Sequence, residues 1–455
     1  MLGKVKNFYS KLQNFLEKYM VLFTIVFFLV GIVLAKFSAT FAGVIDSGIN
    51  GFVDAYGYVA PPAIFLILAP SLAKLLTSKA GKFGTYAVVW LAVRRLLACI
   101  WAAIFTVLIF GFPFFSQEGV GMGEAIITAL KTVGIMAYTS PFMLAIWCGI
   151  VVGIVSVKVK WLFKFLEKFL NGFEAVGQHF LLFVPLFMMA IGSYVYNLPA
   201  AVGQIDIGNI AFTLQNVTVF GFDINPNTAS GMIWVYVVGA LLVGLVCFGW
   251  HFVLLFITKR KVKYFSIKKY FLKYWVKVYP LLWSTSSEAL STPLNLYLTK
   301  KYFPEVHSTV RRFVVGMGSY LNINGTLICV FVLGGVVTSM LGYSPSLVEW
   351  LLVVPIVFLL GYGVPGIPGE LVLFAGPIAL LLNLPEEIVP IFLALYIGLQ
   401  LGLPDSFRTG NNSTDNCVCA VLLNEVYNKK FAVSETKFLE QQEENLFFSN
   451  NKNVQ

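Results

Sequence analysis

The sequence predicts an all-α integral membrane protein, and three observations lead to this fold class. The chain has 455 residues, of which 58% are hydrophobic and only 12% are charged, and its mean hydropathy is +0.81. About a quarter of the residues in a soluble domain are charged. Apolar segments also recur at the length of about 20 residues that crosses the hydrocarbon core, and basic residues cluster at the ends of these segments.

The distribution of basic residues predicts the topology. The net charge is +10, but no basic surface interleaved with aromatic residues, as nucleic acid would need, is visible. Lysine and arginine cluster at the N-terminus and at 74–82, 158–168, 259–277, 300–312 and 429–437. They are missing from 112–122, 196–228 and 340–350. By the positive-inside rule, this alternation predicts a multi-pass protein of the cell membrane with both termini in the cytoplasm and no nucleic-acid partner.

Six apolar segments before Lys277 are predicted to cross the bilayer as helices. They lie near 19–37, 58–77, 84–112, 140–157, 170–196 and 229–258. Lysines precede the first segment, but it ends without a small-residue cleavage site. We therefore expect a retained span rather than a cleaved signal peptide.

Beyond Lys277, polar residues or Gly and Pro interrupt the apolar segments. Segments 281–298 and 351–384 each consist of two apolar arms joined by a Ser-rich or a Gly/Pro-rich tip. This pattern predicts two re-entrant hairpins, because irregular backbone at membrane depth needs protein or a water-filled cavity around it. Segment 313–342 is broken as well. Paired interruptions indicate inverted repeats around a binding site at the bilayer midplane; close helix packing through small residues is the alternative.

The most polar stretch of this apolar region is 404–416. If 405–427 is a helix, one of its faces displays Asp405, Arg408, Thr409, Asn412 and Asn416. Charges at bilayer depth are normally reserved for a substrate, an ion or a paired residue. The face therefore predicts transport of a small zwitterion or a dicarboxylate. An intrahelical Asp405–Arg408 ion pair that only neutralises itself is the alternative.

Nothing in the sequence favours an enzyme or a resident cofactor. The six cysteines lie in apolar runs and the three histidines are scattered, without metal-type spacing. The Gly/Pro run 361–369 has neither a GxGxxG pattern nor a following Lys-Ser/Thr. No nucleophile–base pair is recognisable. The coupling ion of a transporter, Na⁺ or H⁺, is the only inorganic partner that we expect.

The last third of the chain resembles the dicarboxylate/amino acid:cation symporter family, which has the glutamate transporter fold. Four motifs follow the family order: Ser284–Pro293, Asn322–Thr326, Gly366–Gly369 and Asp405–Asn416. The resemblance implies eight transmembrane helices plus two hairpins, a homotrimer, and an elevator motion of a transport unit against a scaffold.

The same resemblance divides the chain into scaffold and transport unit. The implied parts are scaffold helices 1 and 2 (1–83), helix 3 of the transport unit (84–112), scaffold helices 4 and 5 (113–200), a loop and helix 6 of the transport unit (201–258), the transport core (259–427) and a cytoplasmic tail (428–455).

By the same resemblance, the polar face binds an acidic amino acid. Arg408 would bind the side-chain carboxylate, Asp405 the amino group and Asn412 the main-chain carboxylate. A planar guanidinium forms paired hydrogen bonds to a carboxylate, so the implied role of Arg408 is physically reasonable. Hairpin N–H groups would complete the anion site. The remaining implied substrate residues are Thr409, Ser286, Ser287, Thr326, Gly366, Pro368 and Gly369.

The expected coupling ion follows from departures from the family motifs. Asn324 and Asn416 stand where the family has aspartates, and Asp415 lies one residue from the second of these positions. A Na⁺ site of Gly318, Asn322, Asn412 and Asn416 would therefore lack carboxylates. The affinity of a site for a hard cation decreases when neutral ligands replace negatively charged ones. Two further acids, Glu288 and Glu370, are candidates for proton coupling because desolvation raises a carboxyl pKa. Solvation at the hairpin tips is the alternative for both.

The sequence thus predicts a secondary transporter of aspartate or glutamate, driven by protons or by an atypical cation site. A transporter of C4-dicarboxylates is the first alternative, although Asp405 would repel a second carboxylate. An uncoupled exchanger or channel of the same fold is the second alternative. In each case the partners are an anionic small molecule and the lipid bilayer.

Overall fold

The structure is a computed structural model that describes residues 2–38, 81–115, 141–203, 213–363, 371–382 and 384–431, together with parts of 40–76 and 127–139. Within these ranges the chain is helical except for one small hairpin of strands. The N-terminal part contains six helices: α1 (Leu2–Lys18), α2 (Met20–Phe37), α3 (Gly81–Phe110), α4 (Pro141–Lys158), α5 (Lys160–Val176) and α6 (Val184–Gly203). A 3-10 segment, Gly177–Leu182, joins α5 to α6.

A β-hairpin and the longest of the described helices precede the two predicted hairpins in the chain. Strands β1 (Val217–Val219) and β2 (Phe222–Ile224) pair antiparallel. Helix α7 (Ala229–Lys261) follows, and the Thr228 side chain caps its N-terminus by accepting the N–H of Gly231. A short helical turn, Ile267–Lys269, and a π-helical segment, Tyr270–Trp275, then precede α8 (Val276–Thr285).

The first predicted hairpin consists of α8 and α9 (Glu288–Tyr302). Its tip is only two residues long. Ser286 adopts a left-handed conformation with φ 46°, which few residues other than glycine adopt readily. Ser287 accepts the N–H of Leu290 and so begins α9 as an N-cap. The Ser-rich sequence therefore provides both the turn and the cap that the hairpin needs.

The remaining helices include a second hairpin and two breaks. Helices α10 (Ser308–Leu321) and α11 (Asn324–Met340) are separated at Asn322 and Ile323. The arms α12 (Leu347–Leu360) and α13 (Val372–Leu381) flank the 3-10 turn Gly361–Gly363; 364–370 lie outside the described residues. Helices α14 (Val389–Gln400) and α15 (Leu403–Lys430) meet at a bend of 64°.

The predicted spans agree with the structure at several places and differ at one. Helices α2, α3, α4 and α7 occupy four predicted spans, and both hairpins have their two arms. The predicted span 170–196 is wrong in its position, because 160–176 form the separate amphipathic helix α5 and the apolar helix begins at Val184. Much of the predicted span 58–77 lies outside the described residues. Among the described residues four helical segments are long and apolar enough to cross a membrane, namely α2, α3, α7 and α10 together with α11, or five if α14 and α15 count as one span.

Helix α15 lies at the centre of the packing. It contacts α7, both arms of the first hairpin, both halves of the broken pair α10/α11, and α14. Nearly its whole length from Pro404 to Asn424 is buried, although its sequence is polar. Buried polar groups must be hydrogen-bonded, so the neighbouring helices have to supply partners for this face.

Helices α2 and α6 form the most extensive helix pair and pack at very short range. A side chain at Gly31 would overlap the backbone of Met189, and one at Gly192 would overlap the backbone of Phe28. Small residues allow such close approach between membrane helices. The pair α2/α6 then packs against α8 and, through α6, against α7.

An ion cluster ties the N-terminal helix to the first hairpin. Glu17 of α1 accepts hydrogen bonds from Lys277 and Lys301, each at 2.8 Å, and from the hydroxyl of Tyr302. Burial alone would raise the pKa of Glu17, but the three donors outweigh it and lower the pKa to about 2 from its ordinary 4.5. The cluster is therefore formed with an ionised carboxylate at neutral pH.

The lowered pKa predicts an acid-dependent contribution to stability. Because the folded-state pKa lies below the ordinary value, the contribution is complete above pH 4.5 and is lost as the pH falls towards 2. We expect Glu17→Gln to lower the free energy of unfolding by about 2 kcal/mol at neutral pH, with the difference from the wild type shrinking below pH 4.5. Thermal unfolding across pH measures this. Glu425→Gln, in a more exposed pair with Lys429 at 3.0 Å, is the control with a small effect, and an equal effect of both variants would contradict the assignment.

Candidate functional site

The predicted polar face of α15 is present and buried. Asp405, Arg408, Thr409, Asn412 and Asn416 are each at most 1% exposed. Pro404 lies in the first turn, where its missing N–H leaves no hydrogen bond unmade. The helix is regular from there on, so the side chains stay at the spacing that the sequence predicts.

Arg408 connects α15 to the break between α10 and α11. Its Nε donates to Asp405 Oδ1 at 2.6 Å, one turn earlier on the same helix, and its Nη1 donates to Thr326 Oγ1 at 2.7 Å. The intrahelical ion pair expected as the alternative is therefore formed. It is only part of the surroundings of Arg408, because the guanidinium also extends to the neighbouring helix.

Asn412 connects three elements. Its Oδ1 accepts the backbone N–H groups of Gly325 and Thr326, the latter at 3.2 Å, at the N-terminus of α11. Its Nδ2 donates to Glu288 Oε1 at 2.6 Å and to Thr326 Oγ1 at 2.9 Å. The site thus joins α15, the helix break and the tip of the first hairpin.

Glu288 is not solvated. It is fully buried at the first position of α9, where the helix N-terminus stabilises a negative charge. The alternative interpretation, that it lies in solvent at the hairpin tip, is wrong for this residue. The tip folds back onto α15, and Ser291 and Asn295 of α9 also contact Ser413 there.

The hairpin N–H groups that the resemblance assigns to an anion have partners within the hairpin. The N–H of Ser286 donates to the carbonyl of Leu282 at 3.0 Å, and the N–H of Ser287 lies 3.4 Å from Thr285 Oγ1. Both serines are buried. Gly366, Pro368, Gly369 and Glu370, which were expected at the second tip, lie outside the described residues.

The hydroxyl group of Thr409 has no hydrogen-bond partner among the described residues. It is buried on the polar face, next to Arg408. A buried hydroxyl without a partner is costly.

The residues predicted to bind Na⁺ come together. Asn322 Nδ2 donates to Asn416 Oδ1 at 2.7 Å and lies 3.3 Å from the carbonyl of Asn412. Gly318 lies against the Asn416 amide, because a side chain there would overlap it. Asn324 Nδ2 donates to Asn322 Oδ1 at 2.6 Å. The cluster is built from amides that bond to one another.

Asp415 faces a different partner set. It lies about 100° around α15 from Asn416, and its carboxylate pairs with Arg94 of α3 and with Nδ1 of His251 of α7. Because α15 is regular at this point, no π-bulge turns Asp415 towards the amide cluster.

Two arginines are the functional candidates that the sequence reasoning missed. Arg94 and Arg95 lie in the middle of the predicted span 84–112, and charges at that depth were a usable signal. Arg95 is fully buried and packs 3.9 Å from the ring centroid of Tyr362, at the beginning of the second hairpin tip. Its Nε and Nη1 have no hydrogen-bond partner among the described residues.

The described residues contain no group of three or more His, Cys, Asp or Glu side chains that could hold a metal ion. The six cysteines are free thiols, and all except Cys148 are buried. The polar groups of the site are suited to binding a charged small molecule between helices.

Comparison with known proteins supports a membrane transporter. A model of the sodium:dicarboxylate symporter family matches residues 210–426, a range that includes both hairpins, the break between α10 and α11, and most of α15. No curated protein matches the chain. The matched range contains every predicted substrate and cation residue, whereas Arg94 and Arg95 lie outside it. The resemblance to the sodium:dicarboxylate symporter family, a family of membrane transporters, is thereby confirmed for residues 210–426.

Proposed function

We propose that this protein is a secondary active transporter of acidic amino acids, aspartate or glutamate, coupled to protons or to an atypical cation site. The arrangement of Asp405, Arg408 and Asn412 is the observation on which the proposal rests. It combines one cation, one anion and one amide on a buried face that contacts both the helix break and the hairpin tip.

The chemistry of the three side chains matches the three charged groups of such a substrate. A carboxylate would exchange for part of the Asp405–Arg408 pair and bind the guanidinium through paired N–H groups. The ammonium group would then bind the released Asp405 carboxylate. The unpartnered Thr409 hydroxyl lies on the same face, and Asn412 lies one turn further along the helix.

Burial of Glu288 supports a proton as the coupling ion. This carboxyl group is fully buried and accepts a hydrogen bond from Asn412, one of the proposed substrate residues. Its protonation would therefore be sensitive to a substrate bound at Asn412. In this way the first hairpin would sense both the proton and the substrate.

The proposed movement is an elevator-type displacement of the hairpin unit against α2 and α6, within a homotrimer of the cell membrane whose termini are cytoplasmic. The boundary between these parts is apolar in the described residues. An open cavity of about 630 Å³ lies there, with lining residues that include Phe28, Met188, Tyr279 and Trp283. The apolar surface shared with α2 and α6 favours sliding there, whereas Glu17 of α1 and Glu167 of α5 form ion pairs with the transport core that such a movement has to carry along or open.

A C4-dicarboxylate transporter is the second candidate, and Arg95 is the observation that favours it. Its two unpartnered nitrogens are buried beside the second hairpin. A second guanidinium that bonds no anion within the described part of the chain suits a substrate with two carboxylates. The two candidate substrates differ in the group that faces Asp405. An acidic amino acid places an ammonium group there, which Asp405 attracts, whereas a C4-dicarboxylate places a carboxylate there, which Asp405 repels.

Competition in proteoliposomes separates the two candidates. We expect unlabelled aspartate to inhibit uptake of labelled aspartate at least about tenfold more strongly than succinate does, a difference of about 1.4 kcal/mol. Asp405→Asn should reduce this preference, because the anion that attracts the ammonium group is lost. If succinate competes better than aspartate in the wild type, the assignment of Asp405 is wrong and the dicarboxylate function is favoured.

A further inference from the structure

The guanidinium of Arg94 occupies the edge of the predicted cation site. It lies in the middle of α3 and is 6% exposed. Its Nη1 donates to Asn322 Oδ1 at 2.7 Å, and its Nη2 pairs with Asp415. Arg94 therefore contacts both a residue expected to bind the coupling cation and the carboxylate nearest to that position.

Arg94 determines which way the Asn322 amide faces. An arginine can only donate hydrogen bonds, so the oxygen of Asn322 must face Arg94 and its Nδ2 must face the other side. There, Nδ2 donates to Asn416 Oδ1. The Asn322 oxygen also accepts from Asn324 Nδ2 at 2.6 Å, so two donors occupy its lone pairs.

These contacts leave few oxygen atoms for a sodium ion. Hard cations bind carboxylate, carbonyl and amide oxygens. The oxygens of Asn322, Asn416 and Asp415 all face protein donors, and a free positive ion beside the guanidinium would be repelled by it. Asn324 Oδ1 is a buried oxygen that keeps no partner within the described part of the chain, and one amide oxygen is too few. The residues present therefore do not fit a bound sodium ion.

We propose that the Arg94 guanidinium takes the place of a coupling cation, so that the site is organised by a cation that belongs to the protein. The conclusion about substrate binding rests on the transport function proposed above. The guanidinium neutralises Asp415 and holds Asn322 in the orientation that a bound ion would otherwise impose. Substrate binding consequently needs no sodium.

A continuous series of hydrogen bonds connects this tethered cation to the substrate face. Asn322 lies 3.3 Å from the carbonyl of Asn412. The Asn412 side chain donates to Thr326 at 2.9 Å, and Arg408 donates to the same hydroxyl at 2.7 Å. Arg94 can thus position the substrate residues without touching the substrate. This is the role of a positioning residue.

Thermal unfolding of the purified protein without substrate tests the proposal independently of transport. Stability would be measured in sodium chloride and in choline chloride at a constant ionic strength of about 0.1 M, so that screening is equal. We expect the same melting temperature in both salts for the wild type. Arg94→Gln removes the charge and frees the oxygens of Asp415 and Asn322, so sodium should stabilise this variant specifically.

Two further variants define the outcome. Arg94→Lys keeps the charge and should behave as the wild type does, with no specific effect of sodium. In Arg94→Gln/Asp415→Asn, the carboxylate needed by the new cation site is absent, so the sodium effect should disappear. An Arg94 that is only structural predicts that Arg94→Gln is less stable to the same extent in both salts.

A sodium-specific stabilisation of the wild type would overturn the proposal, and so would an Arg94→Gln variant that sodium does not stabilise. A sodium effect on the wild type overturns the proposal even if Arg94→Gln fails to fold. Binding of labelled aspartate by the wild type should change less than about twofold between the two salts, whereas sodium should improve binding by Arg94→Gln about tenfold. If no aspartate binds in any salt, the proposed substrate is wrong, while the melting temperatures still decide the role of Arg94.

Discussion

Replacing Arg408 by alanine is expected to abolish uptake of acidic amino acids. The side chain is fully buried and is the proposed partner of the substrate carboxylate. Loss of one member of a buried, hydrogen-bonded charge pair costs about 2–5 kcal/mol of binding free energy, so the affinity should fall by about 30-fold or more. Uptake of labelled glutamate into proteoliposomes measures this directly.

Matched variants separate binding from folding in this experiment. Arg408→Lys keeps the charge but cannot form paired hydrogen bonds with a carboxylate, so uptake should remain strongly reduced. Arg312→Ala removes an arginine of α10 that pairs with Glu167 at 3.9 Å, away from the polar face, and uptake should be retained. If a folded Arg408→Ala variant still takes up glutamate at the wild-type rate, the polar face of α15 is not the substrate site.

Replacing Asp415 by asparagine is expected to destabilise the folded protein by about 3–5 kcal/mol, because it leaves a buried guanidinium without its carboxylate. The variant keeps the shape of the side chain, so the effect reports the lost charge. Both Arg94 and His251 depend on this carboxylate. Thermal or denaturant unfolding in detergent measures the loss.

A double-mutant cycle identifies the cause of this destabilisation. Adding Arg94→Gln to Asp415→Asn should recover part of the stability, because the uncompensated charge is then removed. Asp223→Asn, in an exposed hydrogen bond with Thr218 of the β-hairpin, should change the free energy of unfolding by at most about 0.5 kcal/mol. Additive effects of the two buried substitutions would show that Arg94 and Asp415 do not form an energetic pair.

The parts of the fold that the sequence predicts are those with strong local signals. A run of serines between two apolar arms predicts the first hairpin tip because so polar a stretch interrupts an apolar span, and the structure has the turn at Ser286 and the N-cap of α9 at Ser287. The polar face of α15 follows from helical periodicity alone. The start of α6 is predicted too early, at residue 170 instead of Val184. The aromatic residues of the preceding amphipathic helix α5 make its sequence apolar, so that its end is counted as part of the span.

The contacts between distant parts of the chain are not visible in the sequence. Asp415 appears as a displaced cation ligand when only its neighbours in the chain are considered. Its partners come from α3 and α7, 321 and 164 residues away. Periodicity places a residue on a face, but only the packing of α3 and α7 against α15 shows what that face meets. The burial of Glu288 likewise depends on where the hairpin folds.

The measurement that tests the account most directly is uptake of labelled aspartate and glutamate into proteoliposomes under an imposed proton gradient without sodium, and then under a sodium gradient alone. The account predicts accumulation driven by the proton gradient in the complete absence of sodium, with Arg94 as the fixed cation. Accumulation that requires sodium would contradict the role of Arg94. No accumulation under either gradient would contradict the proposed transport of acidic amino acids by proton coupling.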